Sequence, residues 1–125
     1  MASPASVAPT TDARAAAHLA RNASLVVTSR YHPAVFAAPA GVPVLGIAVD
    51  EYTTVKLTGA LGNFGQSGVL PLADLLAGHG PAAVLGLWQD RDSIRRATAA
   101  AAEARSREMD EWMSRVAQLL GARPR

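Results

Sequence analysis

Two short polar segments of this sequence combine residue types that can bind an anion, and the first lies at residues 29–33. Arg30 and His32 stand two residues apart in Ser-Arg-Tyr-His-Pro, after a short β-branched apolar run and before a predicted helix. A guanidinium fork matches the oxygens of a phosphate or carboxylate, and free N–H groups at a helix N-terminus add to the attraction. We interpret Arg30 and His32 as candidate anion ligands, with Ser29 and Tyr31 in supporting positions. The alternative is that Arg30 pairs with a surface acid while His32 only caps the helix.

The second polar segment, Asp-Glu-Tyr-Thr-Thr-Val-Lys, covers residues 50–56. Its Lys56 is the only lysine in the chain, and as a point charge it suits a phosphate oxygen. Asp50 and Tyr52 are possible supporting residues. The alternative is that Lys56 is a solvated helix residue that pairs locally with Tyr52 or Glu51.

The elements that position these segments follow from hydrophobic patterning. An uninterrupted apolar run over residues 42–49 is typical of a strand covered on both faces, as in a parallel sheet. Polar residues that follow successive parallel strands meet at one edge of the sheet, where ligands bind in open α/β folds. In the first half of the chain, the pattern predicts a helix over residues 12–22, a strand over 24–28, a helix over 33–40 that ends at Gly41, a strand over 42–49 and a helix that ends near Gly59 and Gly62. In the second half, it predicts a short strand over residues 69–72, a brief helix over 74–77 and a long helix over about 90–120, which Gly121 and Pro124 stop. The segment over residues 81–88 could be a strand or a helix.

This pattern predicts an α/β protein with a small, incomplete Rossmann-like parallel sheet flanked by helices, including a long C-terminal helix. We expect residues 1–10 to be a flexible lead-in and residues 11–125 to form one lobe. In the long helix, a set of apolar residues recurs at spacings of three and four, which indicates a stripe that packs against a sheet or a partner lobe. This apolar stripe consists of Met109, Trp112, Met113, Val116, Leu119 and Leu120.

Composition excludes several classes of protein. Half of the 125 residues are hydrophobic and 18% are charged, which is typical of a globular domain rather than a disordered chain. A net charge of +2 does not suggest a nucleic-acid binder, and the absence of cysteine excludes disulfides, cysteine-ligated zinc and thiol catalysis. We find no signal peptide, no bilayer-spanning run and no metal-ligand spacing, and we expect a cytoplasmic protein without a cofactor.

The other two histidines are weaker candidates for residues of a binding site. We expect His18 on a helix surface and His79 in a loop.

Three blocks together resemble the C-terminal part of the polysaccharide pyruvyl transferase family. They are Ser-Arg-Tyr-His-Pro-Ala-Val-Phe-Ala (29–37), Ala-Gly-Val-Pro-Val-Leu-Gly-Ile (40–47) and the polar segment at 50–56, and the likeness is strongest over about residues 24–76. The combination of Arg-X-His with Ala-Gly-Val-Pro is fairly specific, whereas Ala-Gly-Val-Pro alone also suits glycosyltransferases with two Rossmann-like lobes.

The resemblance implies transfer of a pyruvyl group from phosphoenolpyruvate to a sugar hydroxyl of a cell-surface or exported glycan. It implies a two-lobed, GT-B-like fold in which Arg30 and His32 contact the donor, His32 acts as general acid and Lys56 has a donor-side role. The family's N-terminal lobe is missing here, so we expect a truncated protein that is inactive alone, with the acceptor glycan or lipid-linked sugar bound by a separate lobe. The alternatives are the C-terminal lobe of a nucleotide-sugar glycosyltransferase, or a non-catalytic remnant or assembly module.

Overall fold

The computed structural model describes residues 4–9 and 11–121 of the chain. Parts of the predicted lead-in (residues 1–3 and 10) and the predicted stop at Pro124 therefore lie outside the described residues. The elements in chain order are α1 (Ala13–Arg21), β1 (Val26–Thr28), α2 (Tyr31–Ala37), a 3-10 turn (Ala38–Ala40), β2 (Val44–Ala48), α3 (Glu51–Gly62), β3 (Val69–Pro71), α4 (Leu72–Leu76), α5 (Gly80–Gln89) and α6 (Arg91–Leu119).

The three strands form one parallel sheet in the order β1-β2-β3. Val26 is aligned with Val44 across the first pair, and Gly46 is aligned with Val69 across the second. Every residue of the central strand β2 is buried, as its unbroken apolar sequence predicts. The predicted α/β architecture with a small parallel sheet and a long C-terminal helix is confirmed.

The core lies between one face of the sheet and the helices α2 and α3. Leu57 and Leu61 of α3 are fully buried there, and a Cβ added at Gly46 would stand 3.0 Å from a Leu57 methyl carbon. The small residue in the central strand therefore lets α3 approach the sheet closely. The buried apolar cluster comprises Ala20, Ala34, Ala37, Ala38, Val42, Val44, Leu57 and Leu61.

A buried glutamine joins the loop after α3 to the start of β2. The Gln66 side-chain oxygen accepts a hydrogen bond from the Val44 N–H, and its amide nitrogen donates to the Val42 carbonyl, both at 3.0 Å. Gln66 is only 5% exposed, so these bonds satisfy backbone groups that water does not reach. The burial of Gln66 is not predicted from the sequence.

The opposite face of the sheet is covered only in part, by α4 and α5. Leu45 and Ile47 are buried on this face, whereas Val27 of β1 is 53% exposed. An apolar groove of about 600 Å³ lies between the sheet and α5. Its lining residues are Val27, Leu45, Ile47, Leu75, Gly80, Pro81, Val84, Leu85 and Trp88.

Several predicted boundaries shift by one to three residues, and one undecided segment is settled. Residues 81–88 are helical because Pro81 is the second residue of α5, a position where its missing N–H breaks no bond within the helix. Gly41 follows the 3-10 turn with φ +79° and ends it as predicted, since a left-handed residue at this position favours glycine. Gly121 has φ +69° just past the end of α6, which agrees with the predicted stop.

We expect the apolar stripe to pack against the sheet or against a partner lobe; the first of these expectations is wrong, whereas the second stays a prediction. Met109, Trp112 and Met113 are each more than half exposed, and Leu119 is 87% exposed. The reason is the length of α6, whose earlier part packs on the 3-10 turn and α5. Thr98, its one buried residue, donates to the Phe64 carbonyl at 3.1 Å.

Candidate functional site

The two predicted polar segments lie at the carboxyl ends of the neighbouring strands β1 and β2. The chain leaves β1 at Thr28 and enters α2 at Tyr31, and it leaves β2 at Ala48 and enters α3 at Glu51. Because β1 and β2 are parallel partners and α2 packs on α3, the first turns of both helices start from the same edge of the sheet. This arrangement is the one that the sequence predicts for a site in an open α/β fold.

Arg30 is held at the beginning of α2 by a turn that Thr28 closes. The Thr28 hydroxyl accepts a hydrogen bond from the Arg30 N–H at 3.0 Å and donates to the Arg30 carbonyl at 3.2 Å. Arg30 itself is the N-cap residue, with extended backbone and an exposed side chain, and Ser29 is exposed within the turn. Sequence reasoning missed the role of Thr28. A threonine two residues before the arginine, directly after a strand, is the signal for such a turn.

The expectation that His32 caps the helix is wrong, because α2 begins at Tyr31 and Arg30 occupies the cap position. Pro33 is then the third helical residue, where a missing N–H costs nothing since the first turn has no internal acceptors. The His32 ring is exposed and packs edge-on to Tyr31, with 5.6 Å between ring centroids, and lies 6.4 Å from the Phe36 ring.

Lys56 connects the two helices through aromatic rings. Its ammonium nitrogen lies 4.6 Å from the ring centroid of Tyr52, one turn earlier in α3, and 5.1 Å from the ring centroid of Tyr31 in α2. Both distances suit cation–π attraction. We call Tyr31, Tyr52 and Lys56 the lysine–tyrosine cluster. The local pairing with Tyr52 is one of the sequence expectations, whereas the contact with Tyr31 across the two helices is not.

The surroundings of Lys56 favour its charged form. Hydrogen bonding with the Tyr52 hydroxyl raises the pKa of Lys56 above its ordinary value, removal of water opposes the rise, and electrostatic attraction to Tyr52 and Tyr31 adds to it. Lys56 is therefore a fixed cation at neutral pH. It can attract an anion but cannot serve as a neutral base.

Asp50 caps α3. Its carboxylate accepts a hydrogen bond from the Thr53 N–H at 2.7 Å, and its backbone carbonyl accepts one from the Thr54 hydroxyl at 2.8 Å. Hydrogen bonds from the Thr53 side chain and backbone lower the pKa of Asp50, which keeps the cap negatively charged. Asp50 thus fixes the orientation of the first turn of α3, which carries Tyr52, and Lys56 follows one turn later.

The structure brings five of the predicted residues into one exposed group. Arg30, Tyr31 and His32 are consecutive at the start of α2, and Tyr31 meets Lys56 and Tyr52 of α3 through the lysine–tyrosine cluster. The other two histidines lie elsewhere. His18 is exposed on α1 beside Asn22, and the His79 ring lies 3.9 Å from an Asp74 carboxylate oxygen between α4 and α5.

A metal cluster and a membrane-spanning helix are both absent from the described part of the chain. Within residues 4–9 and 11–121, no three histidine, aspartate or glutamate side chains lie close enough to hold a metal ion. None of the helices in these ranges combines the length and apolar character needed to cross a bilayer.

Part of the chain matches the model of a known protein family. The family model described as "Polysaccharide pyruvyl transferase" matches residues 7–51. No curated protein and no solved structure matches the chain significantly. The matched segment includes Arg30, His32 and Asp50 but ends before Tyr52 and Lys56. Over residues 7–51, from the approach to α1 to the first residue of α3, the chain is similar to the polysaccharide pyruvyl transferase family, which confirms the resemblance inferred from its motifs.

Proposed function

We propose that the chain is the donor-side lobe of a polysaccharide pyruvyl transferase and binds phosphoenolpyruvate at the first turns of α2 and α3. The observation that carries the proposal is the Arg30-Tyr31-His32 turn at the end of β1, which lies within the family match and contacts Lys56 through Tyr31. Phosphoenolpyruvate carries a phosphate and a carboxylate on a three-carbon skeleton. A guanidinium and an ammonium carried by neighbouring helices suit a ligand with two anionic groups.

Each residue then has a chemical task. Arg30 pairs through its fork with one anionic group of the donor, and Lys56 attracts the other as a point charge. His32 is the proton donor to the methylene carbon, which becomes the methyl group of the product. Ser29 and Tyr31 line the donor, and Asp50 and Tyr52 keep the first turn of α3 and Lys56 in position.

The reaction balances without a cofactor. Two hydroxyl groups of the acceptor sugar form two C–O bonds to C2 of phosphoenolpyruvate, and the C2–O bond to phosphate breaks. The two sugar hydroxyls lose two protons in total. One of them offsets the proton that is added to the methylene carbon, and the other leaves with the phosphate. The product is a pyruvate ketal on the sugar.

The acceptor, a glycan or a lipid-linked sugar, binds in this proposal to a second, N-terminal lobe that faces the donor site as in GT-B-like folds. The apolar groove and three smaller grooves on the described residues are lined by residues outside the lysine–tyrosine cluster. In this proposal the lobe alone binds the donor without turning it over, and the complete enzyme acts in cytoplasmic steps of cell-surface or exported polysaccharide synthesis.

Calorimetric titration with phosphoenolpyruvate tests the proposal. We expect saturable binding that Arg30→Ala and Lys56→Ala each weaken by about tenfold, because each removes a charge-assisted contact with the anion. Arg107→Ala is the matched control, since it deletes the same charge from an exposed position on α6 and should bind as the parent does.

Three results would contradict the proposed donor site. Absence of binding at millimolar phosphoenolpyruvate, or binding indifferent to both substitutions, would reject the donor site. A nucleoside diphosphate sugar that raises the unfolding temperature while phosphoenolpyruvate does not would select the glycosyltransferase alternative instead.

A further inference from the structure

A groove beside helix α1 is bordered by basic side chains. Arg14, His18 and Arg21 follow one another at spacings of four and three residues, so they lie along one face of this nine-residue helix. Ala40, the last residue of the 3-10 turn, also lines the groove, which has a volume of about 490 Å³. The remaining lining residues are Ala17 and Asn22. We call this groove the α1 groove.

The α1 groove lies towards the amino ends of the strands, away from the proposed donor site. Helix α1 ends at Arg21, and a short loop leads into β1 at Val26. The 3-10 turn ends at Ala40, and a second short loop leads into β2 at Val44. The lysine–tyrosine cluster is carried by helices that follow the carboxyl ends of these two strands. The α1 groove is therefore separate from that cluster.

The cations of the α1 groove have no acidic partner among the described residues. All ten acidic residues of the sequence lie within the described ranges, and none of their side chains forms an ion pair with Arg14, His18 or Arg21. The nearest acid in sequence, Asp12, caps α1, and its carboxylate accepts a hydrogen bond from the Ala15 N–H at 2.8 Å. The positive charge of the groove is therefore uncompensated and attracts an anion.

A further arginine from another helix adds to this positive charge. The stem of Arg95, on α6, packs beside Gly41, since its Cγ would lie 3.3 Å from a Cβ added at that glycine. Gly41 directly follows Ala40, which lines the groove. Within the described ranges, Arg95 also lacks an ion pair. The charge near the groove thus comes from α6 as well as from α1.

The stability of α1 accounts for only two of the three cations on its face. A positive charge in the last turn of a helix is favourable, and His18 and Arg21 lie in that turn. Arg14 is the second residue of α1, where the partial positive charge of the helix end opposes a cation. An anionic ligand that contacts all three side chains accounts for Arg14 as well.

Asn22 determines which ring nitrogen of His18 can donate to such a ligand. The Asn22 side-chain nitrogen lies 3.3 Å from His18 Nδ1 and donates to the His18 carbonyl at 2.8 Å. An amide nitrogen only donates, so Nδ1 accepts this bond, and the hydrogen of the neutral ring is on Nε2. His18 therefore offers an N–H donor, and Asn22 is its positioning residue.

We propose that the α1 groove binds a diphosphate group. Arg14 and Arg21 are about 10 Å apart along the helix axis, with His18 between them. Each guanidinium fork pairs with the oxygens of one phosphoryl group, and His18 Nε2 donates to an oxygen between the two. A single phosphate would have to accept both forks at one phosphorus atom. A soluble organic diphosphate and the headgroup of a lipid diphosphate both offer the chemistry that the groove recognises.

NMR titration of the full chain with inorganic pyrophosphate, at constant pH and ionic strength, tests the proposal. The ring signals of His18 and His32 report separately on the α1 groove and on the proposed donor site. We expect the His18 signal to shift saturably with a Kd below about 1 mM, and inorganic phosphate to bind about tenfold more weakly. Arg14→Gln and Arg21→Gln should each weaken pyrophosphate binding at His18 about tenfold, because each removes a charge-assisted contact.

Arg115→Gln is the matched control. It makes the same substitution at an exposed arginine of α6 that has no ion pair with a described residue, and it should bind pyrophosphate as the parent does. Thermal unfolding checks that every variant keeps its fold. Arg14→Gln should not lower the unfolding temperature, because the replaced charge opposes the end of the helix. Its loss of affinity then reports on the contact with the anion.

Flotation with phosphatidylcholine vesicles, with and without diacylglycerol diphosphate, distinguishes the two sources of the ligand. Binding to the diphosphate vesicles that Arg14→Gln abolishes would assign the groove to a lipid headgroup. Saturable binding of pyrophosphate at His18 without binding to these vesicles would assign it to a soluble diphosphate.

The inference fails on any of three results. An unchanged His18 signal at about 10 mM pyrophosphate would show that the groove binds no diphosphate. Equal affinities in the parent and in both arginine variants would place the anion elsewhere. Inorganic phosphate that binds as tightly as pyrophosphate would exclude a diphosphate as the preferred ligand. A shift confined to His32 belongs to the first of these results and leaves the proposed donor site intact.

Discussion

At the scale of single residues, Tyr31 and Thr28 organise the candidate site although neither carries a charge. Tyr31 lies between Arg30 and His32 in sequence and contacts Lys56 from the other helix in space. Thr28 closes the turn that sets the backbone of Arg30. The side chains of Arg30 and Lys56 are exposed and long. The contacts made by Thr28 and Tyr31 therefore limit the positions that these two residues can adopt.

Because Lys56 is the only lysine, its titration can be followed without ambiguity by NMR of protein labelled with lysine carrying ¹³C at Cε. We expect its pKa to lie above the ordinary 10.5 and to fall in Tyr52→Phe, which removes the hydroxyl that favours the charged form. A parent pKa at or below 10.5, or the same pKa in both proteins, would contradict the arrangement.

The sign of the accompanying effect on stability follows from linkage. Since the folded-state pKa of Lys56 is raised, the pairing stabilises the fold fully below the unfolded-state pKa. The stabilisation disappears as the pH rises through the raised folded-state value. We therefore expect Tyr52→Phe to reduce the difference in unfolding temperature between pH 9 and strongly alkaline pH.

At the scale of elements, the central strand depends on a side chain from outside the sheet. Gln66 bonds to Val44 and Val42 where β2 begins, and it does so from the loop that precedes β3. Where β2 begins, the Val44 N–H and the Val42 carbonyl both have the Gln66 side-chain amide as their hydrogen-bond partner. Its replacement would leave both groups buried without hydrogen bonds.

We expect Gln66→Leu to lower the free energy of unfolding by about 2–4 kcal/mol, because a leucine of similar size cannot satisfy the two buried backbone groups. Urea denaturation followed by circular dichroism measures the change. Gln89→Leu is the control, since it makes the same substitution at an exposed residue at the end of α5 and should alter stability little. A loss below about 1 kcal/mol for Gln66→Leu would mean that water takes over the two bonds.

At the scale of the whole molecule, the sheet is small and its edge is open. β1 pairs only with β2 in the described chain, and Val27 of β1 is 53% exposed beside the apolar groove. An unpaired strand edge next to an apolar surface is a template for further pairing. The exposed stripe of α6 is a second apolar surface, at a different place and with a different geometry.

We expect Val27→Lys to slow aggregation of the concentrated protein while changing the free energy of unfolding by no more than about 0.5 kcal/mol, because a charge on an edge strand opposes strand addition. Static light scattering over time measures the rate. Val55→Lys is the control at a valine of α3 that is 67% exposed and away from the sheet edge. Equal aggregation rates for Val27→Lys and the parent would show that association begins at another surface.

Much of this fold is determined by local sequence. The apolar run of β2 has no polar side chain on either face, so this strand is buried at the centre of the sheet. Gly41 and Gly121 end their elements because glycine adopts positive φ without strain. The Arg-X-His spacing is likewise legible in the sequence, and it lies within the family match.

Contacts between distant segments were decided only by the tertiary structure. Lys56 lies over Tyr31 because α2 and α3 pack side by side, and Gln66 is buried because its loop crosses the start of β2. The apolar stripe of α6 has the periodicity of a core helix, yet it is exposed since the body that α6 packs on ends at Asn63. Periodicity determines which side of a helix is apolar, whereas the partner of that side depends on where the rest of the chain lies.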